Sequence, residues 1–499
     1  MSAHRSCENA HSPGSPSARA VGGIRPALGA LLAALAVAGS ALPQAPGLQP
    51  GPQLEREFTE LLHHDDPVVR GEAALALAST GDLQHYDAIL EVARDPAPQA
   101  ELRGILAVGY LAAPGAEAFL GEVLTESSRR DRARSVAALA IGLLPEPHDA
   151  AAIDAYLRRV QGASYRQHRD TLAALLLGLA KTAHPSRVAA VYALLEDAAN
   201  REPVLRRLAI EVLARVPGSM TLEQADRLLH SDQVVERLGV LIALRQGIAE
   251  PSAACLTEVA DLARHDRDSQ VRAAALRLLT KKRHLAALDI VPHALRSGEP
   301  DEAAAGVEAA LHLGGGALRL ATEDYILAAR SPAAQARMLG VYGTSRSTPF
   351  LDGCLRLAAS DETDERVRIA ATALSARCGD PRIAPVARAL FVAARTPDDL
   401  LVLAGALRQL DALDTVVGGI YPPGSPNESR IWPQRLRALL AVEYPRALSL
   451  LEDSLRRNRK NAGRQAELLR AFRSAALPSL TAAETLRAAG PSVLLDLLL

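Results

Sequence analysis

One recurring phrase constrains the fold of this 499-residue chain more than any other feature. It reads Asp-Pro-Val-Val-Arg-Gly-Glu-Ala-Ala-Leu-Ala-Leu-Ala at 66–78, and related phrases follow at 269–279 and 365–374. With the arginine of Val-Arg as a register mark, twelve marks follow one another at intervals of 30 to 36 residues. A repeat of this length buries its apolar face only against its neighbours. The marks are Arg70, Arg103, Arg134, Asp170, Arg206, Glu236, Arg272, Gly306, Arg337, Arg368, Leu401 and Arg435.

Each unit has the pattern of a helical hairpin. Apolar residues recur at helical spacing after each mark, and a second amphipathic stretch such as 85–93 lies between marks. Acidic residues four positions before a mark, at 66, 202, 232, 268 and 364, predict helix caps. Gly-Asp pairs at 81–82 and 379–380 predict helix ends, because glycine readily takes the left-handed conformation there. Together these signals predict an all-α solenoid.

The phrase resembles the second helix of a HEAT-type repeat, and the short period resembles the repeats first noted in phycocyanobilin lyases. The resemblance covers about residues 54–475 and is strongest at 65–78, 266–279 and 361–374. It implies a right-handed α-solenoid of about twelve HEAT-like hairpins. In such repeats an acid and an arginine form a ladder between units. The resemblance therefore implies a structural role for Arg70, Arg103, Arg134, Arg206, Arg272, Arg337 and Arg368.

The first fifty residues differ from the repeats. Three arginines precede an apolar run at 27–38, and small residues and a proline-rich stretch follow it. This order is typical of a signal peptide, and the run is shorter than the ~20 residues of a spanning helix. A disordered leader or an uncleaved anchor is the alternative. The sequence predicts a signal peptide at 1–41, a linker at 42–53, repeats at 54–475 and a C-terminal cap at 476–499. It predicts export to the cell envelope or secretion.

One stretch interrupts the repeats. Residues 415–433 are rich in Gly and Pro and contain Tyr421 and the only tryptophan, Trp432. Insertions in solenoids map to loops, which often lie on the binding face. The stretch is therefore interpreted as a loop insertion. It either contacts a partner or acts as a spacer that tucks its two aromatic residues onto the last units.

Motifs for catalysis, cofactors or nucleic acid are not evident. The net charge is −1 and aromatic residues make up 3% of the chain, so no basic, aromatic-lined groove is expected. Cys255, Cys354 and Cys378 follow the leader, and Cys354 and Cys378 are either buried free thiols or a disulfide. The densest set of potential metal ligands is 63–66, which equally fits a helix end followed by a cap. We predict no enzyme activity, cofactor, metal or nucleic-acid partner.

The concave face is the expected binding surface. Residues one and five positions after each mark are expected to face outward there, as a stripe that is charged only near its middle. Burial of the stripe between tightly packed helices is the alternative. The function predicted is a non-enzymatic scaffold that binds a protein or peptide. A lyase-like or cofactor-attachment enzyme and a nucleic-acid-binding solenoid are the other hypotheses. The candidate partner-binding residues are Arg207, Arg237, Arg277, Tyr421 and Trp432.

Overall fold

The structure is a computed structural model. It describes residues 49–126, 130–144, 151–160, 165–180, 185–197, 200, 202–216, 218–420 and 431–476. The chain divides into two units, 1–38 and 39–499, and all of the described residues lie in the second unit. The predicted signal peptide and nearly all of the predicted C-terminal cap lie outside the described residues.

The described residues form 26 α-helices and no strand, which confirms the all-α solenoid. The helices alternate between two layers and make thirteen hairpins, one more than the approximate number predicted. The first, outer helices are α1 Pro52–Leu61, α3 Tyr86–Ala93, α5 Ala116–Thr125, α7 Ala151–Val160, α9 Val188–Glu196, α11 Leu222–Leu229, α13 Ala253–His265, α15 Ala286–Leu295, α17 Gly316–Leu327, α19 Thr348–Ala359, α21 Ala384–Ala393, α23 Leu413–Ile420 and α25 Ala447–Arg457.

The second, inner helices carry the register marks. They are α2 Pro67–Ala78, α4 Pro98–Leu111, α6 Asp131–Gly142, α8 Tyr165–Leu179, α10 Pro203–Leu213, α12 Val234–Gln246, α14 Ser269–Lys281, α16 Pro300–Leu313, α18 Pro332–Val341, α20 Glu365–Arg377, α22 Pro397–Gln409, α24 Trp432–Ala441 and α26 Ala462–Ala476. The additional hairpin is the last one, α25–α26. Its inner helix has Gln465 in the fourth position, where the repeat phrase has arginine, so the sequence pattern missed it.

The inner helices close into a ring. Each inner helix packs against the next along the chain, and the last one, α26, packs against the first one, α2. The repeat phrase did not predict this closure, because a repeat pattern describes only how each unit meets its sequence neighbours. The right-handed sense of the solenoid stays a prediction.

Side-chain caps mark the start of some inner helices, at three of the five predicted acids; Glu202 makes no cap bond, and Asp232 is not the N-cap residue of α12. The Asp66 carboxylate accepts hydrogen bonds from the N–H groups of Val68 and Val69 at the start of α2. Asp268 and Asp364 cap α14 and α20 in the same way. Two glycines after inner helices, Gly81 and Gly379, have φ of +73° and +74°. A glycine tolerates this left-handed conformation without strain, so both predicted helix ends are confirmed.

Small residues let neighbouring inner helices touch through their backbones. A Cβ atom added to Gly109 would lie 2.5 Å from the Cβ of Ala140, and one added to Gly178 would lie 2.5 Å from the carbonyl oxygen of Leu139. At such distances little of the inner helices stays uncovered, and the predicted outward stripe is wrong at most of its positions. Its buried members are Gly71, Leu75, Gly104, Val108, Ser135, Leu139, Thr171, Leu175, Leu241, Ala273, Val307, Met338, Tyr342, Ile369 and Ala373.

The predicted loop at 415–433 is shorter than expected. Its first six residues belong to α23, and Trp432 is the first residue of α24. The Gly-Gly pair at 418–419 suggested a loop, yet it lies in the last turn of α23. A glycine in a helix costs only about 1 kcal/mol relative to alanine, which tertiary packing can offset. Residues 421–430 lie outside the described residues.

Candidate functional site

Four arginines link successive hairpins, and we call them the arginine ladder: Arg70, Arg206, Arg237 and Arg272. Each donates to a backbone carbonyl that precedes its own helix and to a carboxylate of the next hairpin. In the seventh hairpin, Arg272 donates to the carbonyl of Asp266 at 2.8 Å and to Glu302 at 2.6 Å. The Arg272 guanidinium helps to hold the pKa of buried Glu302 below its usual range, although burial raises it. The ladder that the resemblance implied is thus present.

The ladder corrects the sequence register at two marks. At the mark assigned to Glu236, the ladder arginine is Arg237, and Glu236 instead accepts from Arg206. At the mark assigned to Asp170, Arg169 forms the equivalent forward ion pair with Glu202, at 3.6 Å. In both helices the marked residue is the direct neighbour of the arginine, and intervals of 30 to 36 residues do not distinguish neighbouring positions. Two apparent lapses of the repeat are therefore one-residue shifts.

The other marked arginines also make structural contacts. Arg103 and Arg337 pair backward, with Glu72 at 3.0 Å and with Asp301 at 3.2 Å. Arg134 and Arg368 pair with acids of their own hairpins, Asp131 and Asp361. Of the seven marked arginines, Arg70, Arg206 and Arg272 thus form the implied ladder, and the other four make different contacts, two of them with largely exposed acids.

Ring closure adds two guanidinium groups to a carboxylate that already pairs with the neighbouring hairpin. Glu72 of α2 is 1% exposed and lies 3.0 Å from Arg103, 3.2 Å from Arg470 and 3.4 Å from Arg473. The last two arginines belong to α26. Burial raises the pKa of Glu72, but these three positive charges outweigh it and hold the pKa below its usual range. Glu72 is therefore ionised at neutral pH and joins the first hairpins to the last.

Further contacts support the same joint. The rings of Phe58 and Phe472 lie 5.1 Å apart and are both fully buried. On the outer layer, the guanidinium of Arg456 in α25 lies 3.0 Å from Glu57 of α1. Charged and aromatic contacts thus close both layers, which makes the closure a specific joint. No motif in the sequence marks these residues, since their partners lie about 400 positions away.

The structure places four of the five predicted partner-binding residues. Arg207, Arg237 and Arg277 lie on three successive inner helices and are all engaged in ion pairs, with Glu211, Asp266 and Glu308. Arg237 belongs to the ladder, and its partner Asp266 is buried, so its position is structural. Arg207 and Arg277 keep side-chain exposures of 23% and 18%.

Trp432 is not exposed to a partner. It is 1% exposed, and its indole nitrogen donates to the hydroxyl of Ser454 at 3.0 Å. This burial corrects its assignment as a binding residue and favours the alternative that the stretch packs onto the last units. Tyr421 lies outside the described residues, so its assignment stays a prediction.

Polar side chains also converge beside Cys354 and Cys378, but this cluster lies inside the protein. The carboxylate of Glu323 accepts from the hydroxyls of Tyr342 at 2.8 Å and Ser345 at 2.5 Å. Cys354 is fully buried, and burial together with the nearby Cys378 raises the pKa of its thiol to about 12. A thiol with this pKa stays protonated at neutral pH and is a poor nucleophile. The cluster therefore fits a structural role.

The histidine–aspartate run at 63–66 forms a helix cap. The Asp66 carboxylate accepts from the first turn of α2, and its own backbone N–H donates to Nδ1 of His64 at 2.9 Å. These bonds engage Oδ1 of Asp66 and Nδ1 of His64 in the cap. The capping interpretation of the run is the one that the structure supports.

Large apolar side chains are exposed on two neighbouring outer helices. Leu285 caps α15 and is 79% exposed, Leu288 lies one turn later and is 39% exposed, and Leu320 of α17 is 59% exposed. The helices α15 and α17 contact each other. We call these three leucines the apolar patch. Leu83 and Leu222 are exposed singly, and the eleventh hairpin exposes a second group, Val392, Leu401 and Val402.

None of the described helices has the length and hydropathy needed to cross a membrane. No curated protein matches the chain. Two crystal structures of the karyopherin Kap121p match it at 12% sequence identity. The complex with the extreme C-terminus of the protein phosphatase Cdc14p has a TM-score of 0.35 over 86% of this chain and 62% of that chain. The complex with Ste12p has a TM-score of 0.34 over 88% and 58%. This chain thus spans about three fifths of the karyopherin's length.

The sequence also matches a family model. The model is that of HEAT repeats, and it matches residues 54–142, which cover the first three hairpins except for their first two residues. The phycocyanobilin-lyase type of repeat stays a prediction. The hairpins, the arginine ladder and this match agree with one another, and residues 54–142 belong to the HEAT-repeat family.

Proposed function

We propose that this chain is a non-enzymatic scaffold that binds a protein partner through its outer layer. The apolar patch is the observation that carries the proposal. Exposed apolar clusters on a folded surface mark interaction sites more often than single exposed leucines do. A solenoid also offers a large surface for a partner without any catalytic group.

The contacts of the reactive side chains support a non-enzymatic role. Glu323 is held by two hydroxyl donors, and the thiol of Cys354 is protonated. Glu72 is neutralised by arginines of the closure. The two carboxylates are engaged within the fold and the thiol is buried, so we assign all three groups to stability.

A competition between variants tests the binding role. The partner is first identified by cross-linking and mass spectrometry on the native source, and its affinity is then measured with purified proteins. The triple variant L285S/L288S/L320S is expected to bind at least 10-fold more weakly, which is about 1.4 kcal/mol. The control L83S/L222S removes two single exposed leucines and is expected to bind normally. Equal affinity of the triple variant and the control would contradict the proposal.

The two partly exposed arginines remain in the proposed binding set. Charge reversal of Arg207 and Arg277 to glutamate is expected to lower the affinity for a partner that also contacts the inner layer. Unchanged affinity in R207E/R277E would remove both residues from the set, whatever the result for the apolar patch.

We also propose that the chain is exported. The basic, apolar and small-residue order of residues 1–41 supports this localisation. N-terminal sequencing of the protein from its native source is expected to give a first residue after Ala38 or Ala41. A mature chain that begins at Met1 or Ser2 would contradict signal-peptide cleavage.

A further inference from the structure

Three potential metal ligands converge between the sixth and seventh hairpins. Asp226 lies in α11, His230 caps the end of that helix, and Glu258 lies in the next outer helix, α13. One ligand atom of each side chain lies within 4.8 Å of the other two. Asp226 and His230 are four residues apart, so they share one face of the helix. That face meets Glu258, whose Oε1 lies 2.5 Å from Nε2 of His230.

A backbone hydrogen bond orients the imidazole for binding. Nδ1 of His230 lies 2.9 Å from the carbonyl oxygen of Asp226. A carbonyl oxygen only accepts, so Nδ1 carries the proton in this contact. Nε2 lies against Oε1 of Glu258, so a metal ion bound there would replace the proton of this contact and meet the Nε2 lone pair. Metal-binding histidines are usually held by such a second hydrogen bond.

The two carboxyl groups need a positive charge or a proton between them. The side chains of Glu258 and Asp226 are hydrogen-bonded to each other. A divalent cation would satisfy both carboxylates and the imidazole at once.

The described residues contain a second group of three potential ligands, but one of its carboxylates is already engaged in hydrogen bonds. Glu55, Asp82 and His85 also lie close together. There, however, both carboxylate oxygens of Asp82 accept hydrogen bonds from Gln84, one from its backbone N–H and one from its side chain. That carboxylate already caps a turn, so this group serves as an internal comparison.

We propose that Asp226, His230 and Glu258 bind a divalent transition-metal ion and that the ion clamps the sixth hairpin to the seventh. One imidazole nitrogen and two carboxylate oxygens are a ligand set that Zn²⁺ accepts, whereas Ca²⁺ and Mg²⁺ prefer oxygen ligands alone. The clamp lies in the outer layer, on the same joint that Arg237 and Asp266 hold from the inner layer. The inference is independent of partner binding.

Calorimetric titration of the metal-free full chain with ZnCl₂ tests the proposal. The wild type is expected to bind one Zn²⁺ at this site, and H230A is expected to weaken that binding at least 10-fold. E258Q is expected to weaken it comparably while leaving the imidazole in place. Bound Zn²⁺ is also expected to raise the thermal stability of the wild type, because a ligand that binds only the folded state stabilises it.

Two histidine variants serve as matched controls. H265A removes a histidine of the same helix α13, which lies 3.8 Å from exposed Asp261, and H85A removes the imidazole of the comparison group. Both are expected to keep the wild-type site and its thermal shift. The proposal is overturned if the wild type binds no Zn²⁺, or if H230A binds it as tightly as the two controls do.

Discussion

Replacing Glu72 with glutamine tests how the ring is held closed. The substitution keeps the size and one acceptor of the side chain but removes the negative charge that Arg103, Arg470 and Arg473 share. Removing one partner of a buried ion pair typically costs about 3–5 kcal/mol, because it leaves an uncompensated charge. Glutamine still accepts one hydrogen bond, so we expect a loss of about 3 kcal/mol.

The loss should appear at the joint between α2 and α26. If the last hairpin detaches locally, 3 kcal/mol corresponds to roughly 100-fold faster amide exchange in α26. Hydrogen exchange with mass spectrometry on peptides that cover 462–476 measures this rate. The hairpins opposite the joint should exchange at wild-type rates, since distant repeats contact only their own neighbours.

Glu302 supplies a matched control for this experiment. It is also buried and ion-paired, but its partner is the ladder arginine Arg272 in the middle of the chain. E302Q should loosen α14 and α16 and leave α26 protected. Unchanged exchange of α26 in E72Q, or equally fast exchange of α26 in both variants, would refute the assignment of Glu72 to the closure.

Four further outcomes follow from the structure. Because the pKa of Glu72 is lowered in the folded state, its stabilisation is present above the unfolded pKa and is lost as the pH falls through the folded value. The amide hydrogen-exchange rate of α26, corrected for the intrinsic effect of pH, should therefore rise below about pH 4 in the wild type. E72Q should not show this rise. R237A should lower the free energy of unfolding in urea by about 3–5 kcal/mol, whereas R207A, which breaks an i,i+4 pair, should lower it by only about 0.3–0.5 kcal/mol. Native Cys354 should react with iodoacetamide at pH 8 at least about 1000-fold more slowly than in the unfolded chain, since its pKa is about 12; rapid labelling contradicts its burial. Fluorescence of Trp432 should be blue-shifted and weakly quenched by acrylamide, and strong quenching would show that it is exposed.

The sequence predicted the local architecture well, because helix caps and apolar spacing are short-range signals. Asp66 and Asp268 cap the helices that their positions indicated, and Gly81 ends α2 as expected. The ladder followed from the resemblance to HEAT repeats. Register failed by one residue at Arg169 and Arg237, because intervals that vary between 30 and 36 residues do not distinguish neighbouring positions.

The exposed binding residues were harder to predict from the sequence than the packing of the helical hairpins. Charge and position assigned Arg237 and Trp432 to a binding face, yet each is engaged by a partner within the chain. A side chain's exposure depends on how closely the neighbouring helices approach, and the repeat pattern carries little of that information. Closure of the ring depends on contacts such as that of Glu72 with Arg473, which lie about 400 positions apart. The repeat pattern of the sequence does not indicate such contacts.

Cross-linking the first and last outer helices tests the closed ring most directly. Glu57 of α1 and Arg456 of α25 are in contact, so E57C/R456C, in a background with the native cysteines replaced by serine, should react with a short bismaleimide within one molecule. The control E57C/D261C places the second thiol on α13, halfway along the chain of hairpins. A closed ring predicts a monomeric, internally cross-linked product for E57C/R456C and none for the control. Absence of that product, with only cross-links between molecules, would contradict the closed ring.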